Sequence, residues 1–548
     1  MKGPEPKKAL LRIRRPTVFR RPGRLTALRA AAHIAAWLPF ILGPARLIQG
    51  GWRPVGDEAA IALRSWDSLT AQGPMVGQAT RLAHGVFDPG PLEYWLLAIP
   101  VHLDTTHGVL WGAALFCLVA CSLAVEAAWS VLGAAGGLCA SGLIVGLMLW
   151  MPGIAVTPSW NPWFGMVFFI AALAAAWAVM SGHRGWWPGL VITASIAAQA
   201  HLMFTVPSGV LAILALIVGL ADSIRGRLGY WWVLAGLIAG AACWSAPLIQ
   251  QYTSPDGNLG LLLSSSGATT GPRTGGAFSL KALSAAVQPV PIWWKSSIQP
   301  TAIYQLISHR SAGFAVAVLV LLAVAAIMAV RPLRCRPLAA LAVVTLVISL
   351  GALVTYSGIP VHNTTLHTLG YLIVMLFPIG VLSWLVVGGW AVLTGRLVLR
   401  QLATTWLAGR AVPGAGPLAG LAATALVVAG AILALSLQGQ TVRRVTSDPA
   451  MAATRAASRQ IVRKLPGQPI ALSIHDFDAT VVGRLTLGLT WALTPEGFHA
   501  ELMHTRLARE LGDRYVFRGQ PIPRVKVRVR RHGTSVAVTK PAQLASHS

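Results

Sequence analysis

Uninterrupted apolar runs, each about 17 to 25 residues long and so able to cross a hydrocarbon core as a helix, recur through the first four fifths of the chain. Inside a bilayer every backbone N–H and C=O must be satisfied within the segment, and a helix does this. The pattern predicts about eleven crossings, at 30–50, 108–129, 132–151, 162–181, 188–202, 204–221, 229–249, 313–331, 337–356, 367–389 and 413–437. Two of them, 188–202 and 204–221, are short and nearly continuous. After about residue 438 the period changes. Short apolar stretches such as Ile470-Ala471-Leu472-Ser473-Ile474 and the alternation Val525-Lys526-Val527-Arg528-Val529-Arg530 predict strands there.

Lys and Arg collect in every second connection, which marks those connections as cytoplasmic. They are the N-terminal tail from Lys2 to Arg24, His183-Arg184, Arg225 with Arg227, Arg331-Arg334-Arg336, and the stretch from Arg396 to Arg410. The expected organisation is a basic cytoplasmic tail over 1–29, a transmembrane domain over 30–437, and an extracytoplasmic domain over 438–548. Long outer loops are expected at 51–107 and 250–312. The fold class expected is mainly α, a polytopic membrane protein with about 11 transmembrane helices and a small C-terminal extracytoplasmic α/β domain.

Composition agrees and narrows the functions. Only 11% of residues are charged and 55% are hydrophobic, against roughly 25% charged in an ordinary soluble domain. Cytosolic enzymes, disordered chains and coiled coils are excluded. The net charge of +27 is taken up by orientation and membrane lipid, so it does not call for a nucleic-acid partner. The five cysteines (Cys117, Cys121, Cys139, Cys243, Cys335) fall in predicted spans or a cytoplasmic loop and form no outer disulfide framework.

Polar residues concentrate on the outer side. Gly56-Asp57-Glu58 opens a short interfacial helix that Asp57 is placed to cap, with Asp57, Ile61 and Arg64 on one face. A carboxylate there can take the proton of an acceptor hydroxyl, and a guanidinium can bind phosphate. The competing reading is that Asp57 and Glu58 only favour the helix N-terminus and Arg64 is solvated. Further along the loop, a Pro/Gly turn from Asp88 to Leu92 leads into a second short helix whose Tyr94 and Trp95 suit the lipid interface. Arg53, Arg64, Arg81, His84, Lys295 and Arg310 are outward candidates for phosphate, and Asp88 lies among them. Asn161, Gln199, His201, Gln251, Asn258 and His362 suit sugar hydroxyls, although a lone polar residue near a helix end is more often structural. The loop 250–312 could close over a lipid-facing cleft or lie passively at the interface.

At these motifs the sequence resembles the lipid-linked-sugar-dependent glycosyltransferases of the GT-C superfamily, in particular the protein-mannosyltransferase-like families and actinobacterial members. In such proteins an Asp-Glu pair opens the first outer loop and a His-Pro-Pro-Leu-like turn follows; here the pair is Asp57-Glu58 and the turn is Asp88-Pro89-Gly90-Pro91-Leu92. The His of the family turn is absent from its place, with His84 near. Trp160-Asn161-Pro162, Gln199-Ala200-His201 and Gly257-Asn258-Leu259 also look like features of the actinobacterial group, and the resemblance covers roughly 30–440. It implies a polyprenyl-phosphate sugar donor, a glycan, lipid or protein acceptor, and Asp57 as general base with Glu58 second. No cofactor is required; a divalent ion at Asp57 or Asp88 is chemically admissible, but the spacing does not demand one.

Two other classes compete. A lipid or solute transporter would suit the helix count, but no internal repeat or mid-span acid supports it, Glu126 being the nearest exception. A non-catalytic envelope assembly protein would work through the basic tail. No P-loop, zinc signature, nucleotide-binding fingerprint or nucleophile elbow stands in credible context.

Overall fold

A computed structural model describes residues 22–80, 85–226, 229–268, 272–292, 300–330, 333–361, 371–406, 416–475, 479–530 and 533–540. In chain order the helices are α1 (Pro22–Gln49), α2 (Asp57–Asp67), α3 (Leu92–Leu103), α4 (Gly108–Leu132), α5 (Ala134–Trp150), α6 (Gly153–Val156), α7 (Asn161–Met180), α8 (Trp187–Ala200), α9 (Thr205–Gly226) and α10 (Trp231–Thr253). They continue with α11 (Asn258–Ala268), α12 (Gly275–Val287), α13 (Pro300–Ser308), α14 (Gly313–Val330), α15 (Arg336–Ser357), α16 (Leu376–Trp406), α17 (Gly416–Thr446), α18 (Pro449–Lys464), α19 (Ala479–Leu493) and α20 (Thr505–Leu511).

Each of the eleven predicted runs has a helix among its described residues. Among the described residues nine helices are long and apolar enough to cross a membrane; the other two runs form α5 and α8, at 17 and 14 residues. α7 is the centre of the bundle, with 94% of its apolar window buried against 17% for Thr424–Thr446 at the periphery. Its start is set by Pro162 in the first turn, where a missing N–H costs nothing. Where α1 meets α4, Glu126 accepts from Arg29 Nε at 2.7 Å and lies 2.7 Å from His33 Nε2. Glu126 is therefore tied to α1 rather than set alone in a span.

Two expectations change. Tyr94 is buried in the protein rather than placed at a lipid interface, while Trp95 is exposed. Within 250–312, α12 packs on α14, α15 and α16, and its residues from Ala282 to Val287 are buried. That part of the loop is a fixed element of the bundle, because thirteen residues are enough to bury a face but too few to read as a span.

The C-terminal strands β1 (Pro469–His475), β2 (His499–Leu502), β3 (Arg524–Arg530) and β4 (Gly533–Thr539) form one sheet in the order β2-β1-β3-β4. β1 pairs in parallel with β2 and β3, and β3 pairs antiparallel with β4. Alternation sends Val525 and Val527 into a core with Ile470 and Leu472, covered by α18 and α19. This unit sits on the first long loop. Gly56 N–H donates to Arg484 O at 3.2 Å, and Trp66 lies between His102, stacked at 4.1 Å, and Trp491, edge-on at 6.1 Å. Loop 51–107 and the C-terminal sheet are thus on the same side.

Candidate active site

α2 begins because Gly56 adopts φ +60°, a conformation that suits glycine, and the two acids that follow suit the positive end of the helix. Asp57 is the first helical residue and does not cap it. Its exposed carboxylate instead accepts from Trp160 Nε1 at 2.9 Å, which aims it at the start of α7. Trp160 also packs edge-on against Trp163 and Tyr371, each at 4.9 Å, and Tyr371 in turn lies 5.7 Å from the His201 ring.

Glu58 has different surroundings. Burial pushes its carboxyl up to about 7, with the Arg484 guanidinium opposing and Asp57 adding to the rise. Adjacent carboxyls in unlike environments are the arrangement that separates acid from base roles.

Below this pair the predicted polar segments converge on Asp88. Its carboxylate accepts from Leu202 N–H at 2.9 Å and from Asn161 Nδ2 at 3.4 Å, and Asn161 also donates to Ala200 O at 2.9 Å. Asn258 clasps the same turn: it accepts from Phe87 N–H at 2.9 Å and donates to Phe87 O at 3.1 Å. Gln199 Nε2 donates to Cys243 O at 2.7 Å, Gln251 accepts from Gly260 N–H at 3.0 Å, and His201 Nδ1 accepts from Met203 N–H at 3.3 Å. Burial holds Asp88 well above the usual carboxylate range despite these donors. Asp88, Asn161, Gln199 and Asn258 are buried and bonded to the protein, so they form the wall of the site. Close packing enforces the turn, since a Cβ on Gly90 would meet Gln199 Oε1 and come within 2.7 Å of Pro247 Cγ.

The basic candidates divide. Arg64 donates to Leu511 O at 2.7 Å and lies 3.6 Å from Asp67, so it joins α2 to the C-terminal unit. Arg53 is partly buried, and burial together with Arg455 lowers it, with Asp104 opposing. Arg310 donates to Gln288 at 2.6 Å. Arg81, His84, Lys295 and His362 lie outside the described residues.

Three participants lie outside the sequence-derived candidates. Arg455 reaches Gly51 and Arg484 packs over Gly56, both supplied by the C-terminal unit. Glu93 is a buried acid on α3 whose Oε1 has no partner among the described residues, and burial, with Asp88 adding, holds it well above the usual range. An acid inside the apolar run Leu92–Leu103 was the available clue. Among the described residues no group of three or more His, Cys, Asp or Glu is arranged to hold a metal ion.

No protein-family model and no curated protein sequence matches the chain. Solved structures similar to the chain include two of ArnT from Cupriavidus metallidurans. The apo form is 14% identical with a TM-score of 0.51, covering 95% of this chain and 98% of that one. The form bound to undecaprenyl phosphate is 15% identical with a TM-score of 0.49, covering 94% and 98%. At this identity the likeness is one of architecture: over nearly its whole length, the chain has an ArnT-like fold.

Proposed function

We propose that the protein is an integral-membrane glycosyltransferase that moves a sugar from a polyprenyl-phosphate donor to a glycan, lipid or protein acceptor on the extracytoplasmic face. The observation that carries this reading is the exposed Asp57 carboxylate at the head of α2, held by Trp160 Nε1 at 2.9 Å on a GT-C-like body. The sequence resemblance supplies the donor class.

In this mechanism Asp57 takes the proton of the acceptor hydroxyl as its oxygen attacks the anomeric carbon. The bond from that carbon to the phosphate oxygen breaks, and the electron pair leaves on the polyprenyl phosphate. Glu58, raised to about 7, is the second candidate for proton handling. Arg53 and Arg455 stand beside the segment leading to Asp57 and suit the charge developing on the phosphate. Residues 1–29 belong to the cytoplasmic side and 438–548 to the outer side, with 30–437 as the catalytic transmembrane body.

The test is transfer by purified protein in lipid nanodiscs from polyprenyl-phosphate sugars to envelope acceptors, with Asp57→Asn alongside. Transfer by the wild type alone supports the assignment; equal transfer by both removes Asp57 from the mechanism.

A further inference from the structure

β3 has two unlike faces. Val525 and Val527 point into the core under α18 and α19, whereas Arg524, Lys526 and Arg528 project from the opposite face and are exposed. The register places small residues beside the first two, Ala471 and Thr539 flanking Arg524 and Ser473 and Ala537 flanking Lys526, while His475 and Ser535 flank Arg528. The long cationic side chains therefore stand above a low floor, about 7 Å apart along the strand. None of the three has a carboxylate within salt-bridge distance among the described residues. Glu501, the acid on this face among them, lies on β2 with β1 in between.

We propose that this open face binds an acidic polysaccharide, an extended glycan whose carboxylates recur along the chain. Charge complementarity carries the argument: three cations in a straight row, none with a carboxylate partner among the described residues, match a linear polyanion, and the two guanidiniums can each take a carboxylate in a two-point bond. A lipid surface fits less well, because the cationic face is opposite to α19, the helix that packs on α2 and so on the membrane body. A single-stranded nucleic acid would need exposed rings for stacking. Phe517, the ring beside this face, already carries the Arg524 guanidinium 5.7 Å from its centre.

The test uses the full chain in phosphatidylcholine nanodiscs at low salt, with fluorescent polygalacturonate as probe. The variant Arg524→Gln, Lys526→Gln, Arg528→Gln is compared with a control, Arg443→Gln, Arg444→Gln, Arg459→Gln, which removes three exposed cations elsewhere. Solvated ion pairs are individually weak, so loss of three is expected to weaken binding about tenfold, with the control near wild type and neutral dextran unbound. All substituted positions are exposed, and equal melting temperatures verify folding. Binding equal in wild type and the β3 variant overturns the proposal. So does a β3 variant that loses sedimentation with phosphatidylglycerol vesicles, or capture of an oligonucleotide, while polygalacturonate binding is unchanged.

Discussion

Asp67 closes α2 and is completely buried, at 0% exposure. Its carboxylate accepts from Arg514 Nη1 at 2.7 Å and Tyr515 OH at 3.1 Å, with Arg64 Nη1 at 3.6 Å. Two of these partners come from the C-terminal unit, so the cluster fixes the helix carrying Asp57 and Glu58 to that unit. Asp67→Ala leaves Arg514 and the Tyr515 hydroxyl without their acceptor. Removing one partner of a buried ion pair costs about 3 to 5 kcal/mol. Arg514 and Arg64 keep 23% and 16% exposure and can regain some water. The lower figure, about 3 kcal/mol, therefore applies, or about two orders of magnitude in the docking equilibrium. Hydrogen exchange in nanodiscs reads this directly: residues 57–67 and 505–516 should exchange faster by about that factor, while α7 stays protected. The double variant Asp67→Ala, Arg514→Ala should cost less than the sum of the singles. Unchanged exchange in both segments, or strict additivity, refutes the reasoning.

Burial pushes the Glu58 carboxyl up to about 7 by disfavouring its charge. A folded-state value raised from 4.5 gives stability that is full below the unfolded value and lost as pH rises through about 7. The melting temperature of wild type relative to Glu58→Gln should therefore fall between pH 5 and pH 8; a constant difference would show that the Glu58 carboxyl is not raised. Gly90→Ala should lower stability by about 1 to 3 kcal/mol through overpacking against Gln199 and Pro247, measured as melting temperature, and a wild-type melt would contradict the close packing. Asn258→Ala removes the acceptor of the Phe87 N–H and should cost about 1 to 3 kcal/mol, with loss of exchange protection at that amide. Retained protection would mean the turn holds without its clasp.

The helical body was legible because its signal is local. An apolar run long enough to span declares itself, and Gly56-Asp57 and Pro91-Leu92 marked the starts of α2 and α3. What the local pattern could not carry was the use of each polar group. Asp57 was placed to cap its own helix, yet its partner is Trp160, 103 residues away. Arg64 read as a phosphate ligand but is bonded to Leu511 O, 447 residues on. Asp67 carries no local signal for the same reason, since its partners Arg514 and Tyr515 lie 447 and 448 residues on. Tyr94 and α12 were misplaced because aromatic and short apolar segments look alike whether lipid or protein covers them.

The central claim is that Asp57 serves sugar transfer from a lipid-phosphate donor. It is tested most directly by giving wild type and Asp57→Asn, each in nanodiscs, a panel of radiolabelled polyprenyl-phosphate sugars with cell-envelope acceptors. Labelled product is expected from the wild type, and none from a variant with unchanged folding and melting temperature. Equal transfer by the two proteins, or silence from a well-folded wild type across the whole panel, would contradict it.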